Sequence, residues 1–439
     1  MKIDSGNTAW MLASTALVLL MTPGLAFFYG GMSRAKSVLN MMMMSFVSIA
    51  VVGMAWVVYG YSIAFSDGGG ANKFIGGLDD WGLVGLEKTA TLDDGTGIPS
   101  LVFVAFQATF AIITVALISG ALADRTKFGA WVVFSLVWVT LVYAPIAHWV
   151  WGGGWIMDKV KALDFAGGTV VHINAGVAAL AVVLVLGKRR GWPKDPMRPH
   201  NLPFVLLGAG LLFFGWFGFN AGSALAANDI AGVALINTMV ATCAAGFGWI
   251  VVEKLRDGAS TTLGIASGFV AGLVAITPAC AYVTPVGALV LGLIAGAVCA
   301  FAVSLKYKLG YDDSLDVVGV HMVGGIIGAL LIGFLGSTAV NPAGAKGLFA
   351  GGGLELLGKQ AIAVAVTIVY SFVVTFIIAK VIDLTMGFRI DAEDEISGID
   401  SAAHAETAYD FGSVHAGSAI SHGTLAGSGS DQTKVEAEA

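Results

Sequence analysis

Asp164-Phe-Ala-Gly-Gly-Thr-Val-Val-His172-Ile-Asn-Ala-Gly176 and Asp313-Ser-Leu-Asp-Val-Val-Gly-Val-His321-Met-Val-Gly-Gly325 share one arrangement. In each, a histidine follows an aspartate by eight residues inside an otherwise apolar stretch. An ionisable side chain surrounded by Val, Ile and Gly is costly to keep within a membrane span, so each is a functional-site candidate. That the costly arrangement occurs twice points to an internal duplication with one matching histidine in each half.

The composition around these blocks belongs to a lipid-solvated chain. Of its 439 residues, 57% are hydrophobic and 12% charged, against about 25% charged in soluble proteins. Sixty glycines are spread through the apolar segments, as close helix packing in a bilayer requires. Cys243, Cys280 and Cys299 have neither metal-ligand spacing nor a disulfide framework and read as packing residues. A net charge of −6 is weak and dispersed. No basic stripe with interleaved aromatics exists, which excludes a nucleic-acid binder.

Apolar runs of span length predict an all-α polytopic membrane protein with eleven transmembrane helices. They cover approximately 8–31, 38–65, 100–122, 128–150, 166–187, 202–221, 230–252, 260–278, 284–305, 316–336 and 360–386. Loops after odd-numbered spans hold Arg34, Lys36, Arg125, Lys127, Lys188, Arg189, Arg190, Lys194, Arg198, Lys254, Arg256, Lys306 and Lys308. The opposite side holds Lys2, Lys73, Lys88, Lys159, Lys161, Lys346 and Lys359, spread over longer loops. The positive-inside rule then puts the amino terminus outside and the carboxyl terminus in the cytoplasm. With five spans per copy, spans 1–5 and 6–10 enter the membrane from opposite sides as an inverted repeat. Such repeats meet around a site near the midplane. The eleventh helix is expected to pack peripherally. Residues 387–439 form a polar tail, and its distal part, rich in Gly, Ser and Ala from Gly412, is expected to be disordered.

His172 and His321 could share and relay a proton, because histidine titrates near neutrality. One structural histidine per half is the plainer alternative, weakened by their matched positions. Phe110 and Trp151 lie towards the outer face, where aromatic rings attract a cation by roughly 0.5–2 kcal/mol each; an interfacial aromatic belt is the competing reading. Trp216-Phe-Gly-Phe219-Asn-Ala-Gly-Ser223 ends the sixth span at the same face, with the Ser223 hydroxyl beside aromatic rings. Asp164 and Asp313 read first as helix-start residues, and Asp164 would also add negative potential outside.

These blocks resemble the ammonium transporter (Amt/Mep/Rh) family, on its Amt branch. The likeness rests on Asp164 to Gly176, Gly215-Trp-Phe-Gly-Phe-Asn-Ala-Gly-Ser223 and Asp316-Val-Val-Gly-Val-His321, with Tyr29-Gly-Gly-Met-Ser-Arg34 and Pro199-His-Asn-Leu-Pro203 in support. The resemblance implies a homotrimer in the cell membrane with one pore per subunit. It implies a transporter and not an enzyme, and no cofactor or metal. By the same likeness Phe110, Trp151 and Ser223 correspond to an external ammonium recruitment site, beside which Asp164 stands. Phe110 and Phe219, together with Trp216, correspond to the gate, and His172 with His321 to the imidazole pair of the pore. Ammonium would be deprotonated, and ammonia conducted with a separate proton relay. Gly387-Phe-Arg389, Gly398-Ile-Asp400 and His404-Ala-Glu-Thr-Ala-Tyr409 resemble the family's cytoplasmic tail, implying regulation by a PII-type (GlnK-like) protein. Many relatives carry glycine where Ala405 stands. The implied division is a transporter domain over 1–386 and a regulatory tail over 387–439.

Two other classes remain to be separated. A sensor would signal through the tail in place of transporting ammonium. A haem-binding electron carrier would need further buried ligands, and His148 is the only other histidine near the membrane.

Overall fold

A computed structural model describes residues 2–88, 91–92, 94–195 and 197–409; the segment from Gly412 expected to be disordered lies outside them. Among the described residues, ten helices are long and apolar enough to cross a membrane. They are α1 (Ser5–Met32), α2 (Val38–Phe65), α3 (Ser100–Leu122), α4 (Phe128–Val150), α5 (Gly168–Leu186), α6 (Leu202–Gly222), α7 (Asp229–Asp257), α9 (Pro285–Leu309), α10 (Val318–Leu335) and α11 (Glu355–Met386). Between α7 and α9 lies the shorter apolar helix α8 (Thr262–Ile276). The sequence reading ran this element to 278. Pro278 has no amide hydrogen to continue the ladder, and the chain passes through turns to Thr284.

Helix starts follow the expected capping chemistry. Asp4 accepts from the Asn7 amide, Asn201 from Phe204, Asn228 from Ala231 and Thr261 from Gly264. Helices α1 and α6, which open the two copies, cross along small residues. A Cβ on Gly208 would stand 2.3 Å from the Phe28 nitrogen, so the backbones touch as membrane packing favours.

The two copies meet reciprocally. Gly176, four residues after His172, packs against Met322, one residue after His321; an added Cβ would lie 2.4 Å from the Met322 nitrogen. Gly325, four residues after His321, packs against Ile173, one residue after His172; an added Cβ would lie 2.9 Å from Ile173 Cγ1. A contact in which i meets j and j meets i is the mark of a two-fold relation. Both histidines also sit on π-helical turns, Gly168–Ile173 and Val318–Met322. Such turns cluster at functional sites.

Beyond α11 the chain folds back across the ends of the bundle. Lys127 N donates to Phe388 O at 3.0 Å and Ile390 N to Arg125 O at 3.0 Å. Two short helices follow, α12 (Ala392–Ser397) and α13 (Ile399–His404). Glu395, which the charge pattern placed in a polar tail, is buried and accepts from Arg389 and from the Arg190 amide. Asp400 accepts from the Leu39 and Asn40 amides at 3.0 and 2.8 Å, capping the start of α2.

Candidate functional site

The site is built where α5 and α10 begin. Asp164 gathers the amides of Gly167, Gly168, Thr169 and Val170 at 2.8, 2.6, 2.7 and 3.3 Å, and the Thr169 hydroxyl donates to it as well. Asp313 accepts from the Val317 and Val318 amides at 3.0 and 2.7 Å. Each carboxylate therefore meets the positive end of a helix that carries a histidine. Asp164 spends its oxygens on this work, and its carbonyl accepts the Trp151 indole N–H at 3.0 Å. It thereby holds Trp151 in place.

From Trp151 a line of rings runs inward. Trp151 stands edge-on to Phe110, with centroids 6.1 Å apart at 85°. Phe110 stacks on Phe219 at 4.1 Å and 23°. Phe219 lies 6.0 Å from His172, and His172 is 5.4 Å from His321. Phe110, Phe219, His172 and His321 are all buried. Trp216, grouped with the gate by resemblance, stacks on His172 at 5.4 Å, on the inner side of the phenylalanines. Its indole donates to Thr277 Oγ1 at 2.9 Å, which fixes the ring.

Ser223 is half-buried, and its hydroxyl donates to Phe219 O at 2.8 Å. With its proton spent there, the oxygen is left as an acceptor.

The two imidazoles meet through Nδ1 and Nδ1 at 3.3 Å. One nitrogen must donate and the other accept. The pair thus consists of opposite tautomers, one with its outer nitrogen protonated and one with it bare. Among the described residues His172 Nε2 is buried without a protein partner. Beside the pair is a cavity of about 10 Å³ lined by Met21, Leu25, Ile113, Leu117, Val171, Leu212 and Val270, with the rings of Trp216, Phe219 and the two histidines, the room of a single water-sized molecule.

Just before the start of α10, a charged cluster ties the loops together. Arg189 pairs with Asp312 at 2.8 Å and with Asp124 at 3.3 Å, and Arg125 reaches Asp312 at 3.1 Å. Burial pushes the Asp312 carboxyl up, but the Arg189 hydrogen bonds and the Arg125 charge outweigh it and hold the group below its ordinary value. Burial dominates at the adjacent Asp313, which is raised to about 6.

Comparison with known proteins fixes the family. The Ammonium Transporter Family model matches residues 9–409. The chain belongs to the ammonium transporter family. An ammonium transporter of Mycobacterium tuberculosis is 57% identical, covering 95% of this chain and 92% of its own. The crystal structure of Saccharomyces cerevisiae Mep2 is similar at a TM-score of 0.84 and 34% identity, over 90% of this chain and 89% of that one. A structure named Sensor Amt Protein is similar at 0.83 and 26% identity, over 91% and 98%. This ammonium transporter is therefore a multi-pass membrane protein whose substrate is ammonium, and it is not an enzyme.

Sequence reading missed the aliphatic wall of the transporter's cavity and the anchoring of Trp216 by Thr277. Met21 and Leu25, or Ile113 and Leu117, recur at helical spacing, as lipid-facing residues also do, so nothing in the sequence marks them.

Proposed function

We propose that this transporter recruits ammonium outside, strips it of a proton, conducts ammonia past the phenylalanine pair and relays the proton separately through the histidines. The observation that carries the reading is the His172–His321 contact at 3.3 Å beside an aliphatic cavity. Ammonium is a pure hydrogen-bond donor. It would be held by the Ser223 oxygen and by the ring faces of Trp151 and Phe110, with Asp164 setting the Trp151 indole. Asp164 contributes through that positioning and its charge, since its oxygens are engaged by α5.

An ion in a hydrocarbon-lined cavity costs several kcal/mol or more without a partner. Neutral ammonia avoids that cost. It offers one acceptor and three donors, and the histidine pair offers one outward N–H and one bare nitrogen. Potassium has no proton to give up and stays outside. Phe110 and Phe219 form the gate, and Trp216 acts one step further in as a wall of the histidine chamber.

The assembly is a homotrimer with a pore in each subunit, residues 1–386 forming the transporter domain and residues 387–439 a cytoplasmic regulatory tail read by a PII-type protein. The distribution of Lys and Arg supports an outside amino terminus in the cell membrane. The sensor reading draws support from the similarity to the Sensor Amt Protein at 26% identity; the 57% identity to a transporter outweighs it.

Proteoliposomes on a supported membrane test the proposal. Ammonium pulses are expected to produce inward positive current, with potassium pulses silent. Equal currents for both ions, or none for ammonium in folded protein with and without the residues after Phe388, would refute it.

A further inference from the structure

Three consecutive carbonyls of the loop after α2 are gripped by the turn that carries Trp151. His148 Nε2 meets Asn72 O at 2.6 Å, the Trp155 amide donates to Lys73 O at 3.0 Å, and the Trp149 indole donates to Phe74 O at 2.7 Å. The second ring nitrogen of His148, Nδ1, meets Ala64 O at 3.0 Å near the end of α2. His148 is fully buried. The turn behind it is tight: the Gly152 and Gly154 amides close onto His148 O at 3.0 and 2.9 Å. A Cβ on Gly152 would fall 1.9 Å from Ala64 O.

Both partners of the ring are carbonyl oxygens, which only accept. The ring's two nitrogens reach both carbonyls at once. We propose that His148 acts as a positioning residue for the outer ammonium site. It ties Ala64 and Asn72 to the turn that presents Trp151. The inference rests on reading Trp151 as part of the ammonium site.

The charged groups on the elements around His148 are otherwise engaged or make no bond with the ring among the described residues. Asp67 accepts from the Gly69 amide, Asp80 from the Ser66 hydroxyl, Asp158 pairs with Lys159, and Asp164 caps α5. Lys73, Asp79 and Lys161 make no hydrogen bond or ion pair with it. His172, on the neighbouring π-helical turn, bonds His321.

The test uses the full chain in proteoliposomes. In current measurements, His148→Gln is expected to raise the half-saturating ammonium concentration several-fold more than it lowers maximal current. Hydrogen exchange of residues 66–76 should quicken in the same variant. Trp149→Phe, which removes the bond to Phe74 O, should shift half-saturation and exchange in the same direction. His148→Gln with wild-type half-saturation and wild-type exchange would overturn the inference. If His148→Gln fails to fold, Trp149→Phe decides, and wild-type values of both in that variant would overturn it. If the unaltered protein passes no ammonium current, the transport mechanism fails, and the exchange of residues 66–76 judges the clasp alone.

Discussion

At the scale of single residues, the candidate site rests on polar atoms placed where water cannot compensate them. The histidines are buried among Met, Leu, Ile and Val side chains, and each supplies the other's hydrogen-bond partner. Ser223 shows the same economy, donating inward to Phe219 O and leaving its oxygen for a donor. Hydrogen bonds to charged groups contribute about 1.5–3 kcal/mol. Ser223→Ala is therefore expected to raise the half-saturating ammonium concentration about tenfold, with maximal current much less affected. Concentration dependence of the supported-membrane current checks this, and an unchanged half-saturation removes Ser223 from the site. The histidines stood out in the sequence because each is an ionisable residue inside an apolar span; Ser223 and Trp151, by themselves an ordinary helix-terminal serine and an interfacial aromatic, were singled out by the family resemblance. The cavity wall did not stand out, since an aliphatic residue facing a pore and one facing lipid look alike until the helices are packed.

At the scale of elements, the aspartates and glycines of the repeated blocks shape α5 and α10 so that the histidines can touch. The eight-residue spacing was legible, and so was the duplication. The π-helical turns under each histidine were not, because the extra residue in a turn depends on what packs against it. Gly176→Ala would put a Cβ 2.4 Å from the Met322 nitrogen, and overpacking of this kind costs about 1–3 kcal/mol. The variant is expected to melt at a lower temperature and to lose most of its ammonium current; wild-type values for both would contradict the reciprocal packing. Asp313 supplies a pH test. Raised to about 6 by burial, it holds its proton more tightly in the folded protein than in the unfolded chain. Its contribution to stability is present at low pH and declines as pH climbs from the usual aspartate range to about 6. Asp313→Asn should remove that decline, so thermal unfolding in detergent should change less between about pH 4 and pH 7 than in the unaltered protein. An identical pH profile would place the decline elsewhere.

At the scale of the whole molecule, the tail is a strap across the bundle. Asp400 caps α2, Glu395 receives Arg389 and the Arg190 amide, and His404 Nε2 meets Asn40 Oδ1 at 3.0 Å. Burial raises the Asp400 carboxyl above its ordinary value, though the Asn40 and Leu39 amides oppose the shift. Apart from the local Arg389–Glu395 pair, these contacts join residues hundreds of positions apart, and neither the tail's polar composition nor its family resemblance marked them. Ala405 ends α13 at φ +55°, in the left-handed region that costs a residue with a Cβ about 1–2 kcal/mol. Ala405→Gly is expected to slow hydrogen exchange of residues 399–409 about fivefold, the equivalent of about 1 kcal/mol after the added flexibility of glycine is discounted. Faster exchange would show that the strap does not depend on this turn.

The claim on which the whole account depends is that the two imidazoles meet in a dry passage and carry ammonium's proton through it. The direct measurement is the current of proteoliposomes containing His172→Ala with His321→Ala, after pulses of ammonium and of potassium, in protein shown by size to keep its assembly. Loss of the selective ammonium current is the expected result. Ammonium currents and potassium exclusion equal to those of the unaltered protein would contradict it.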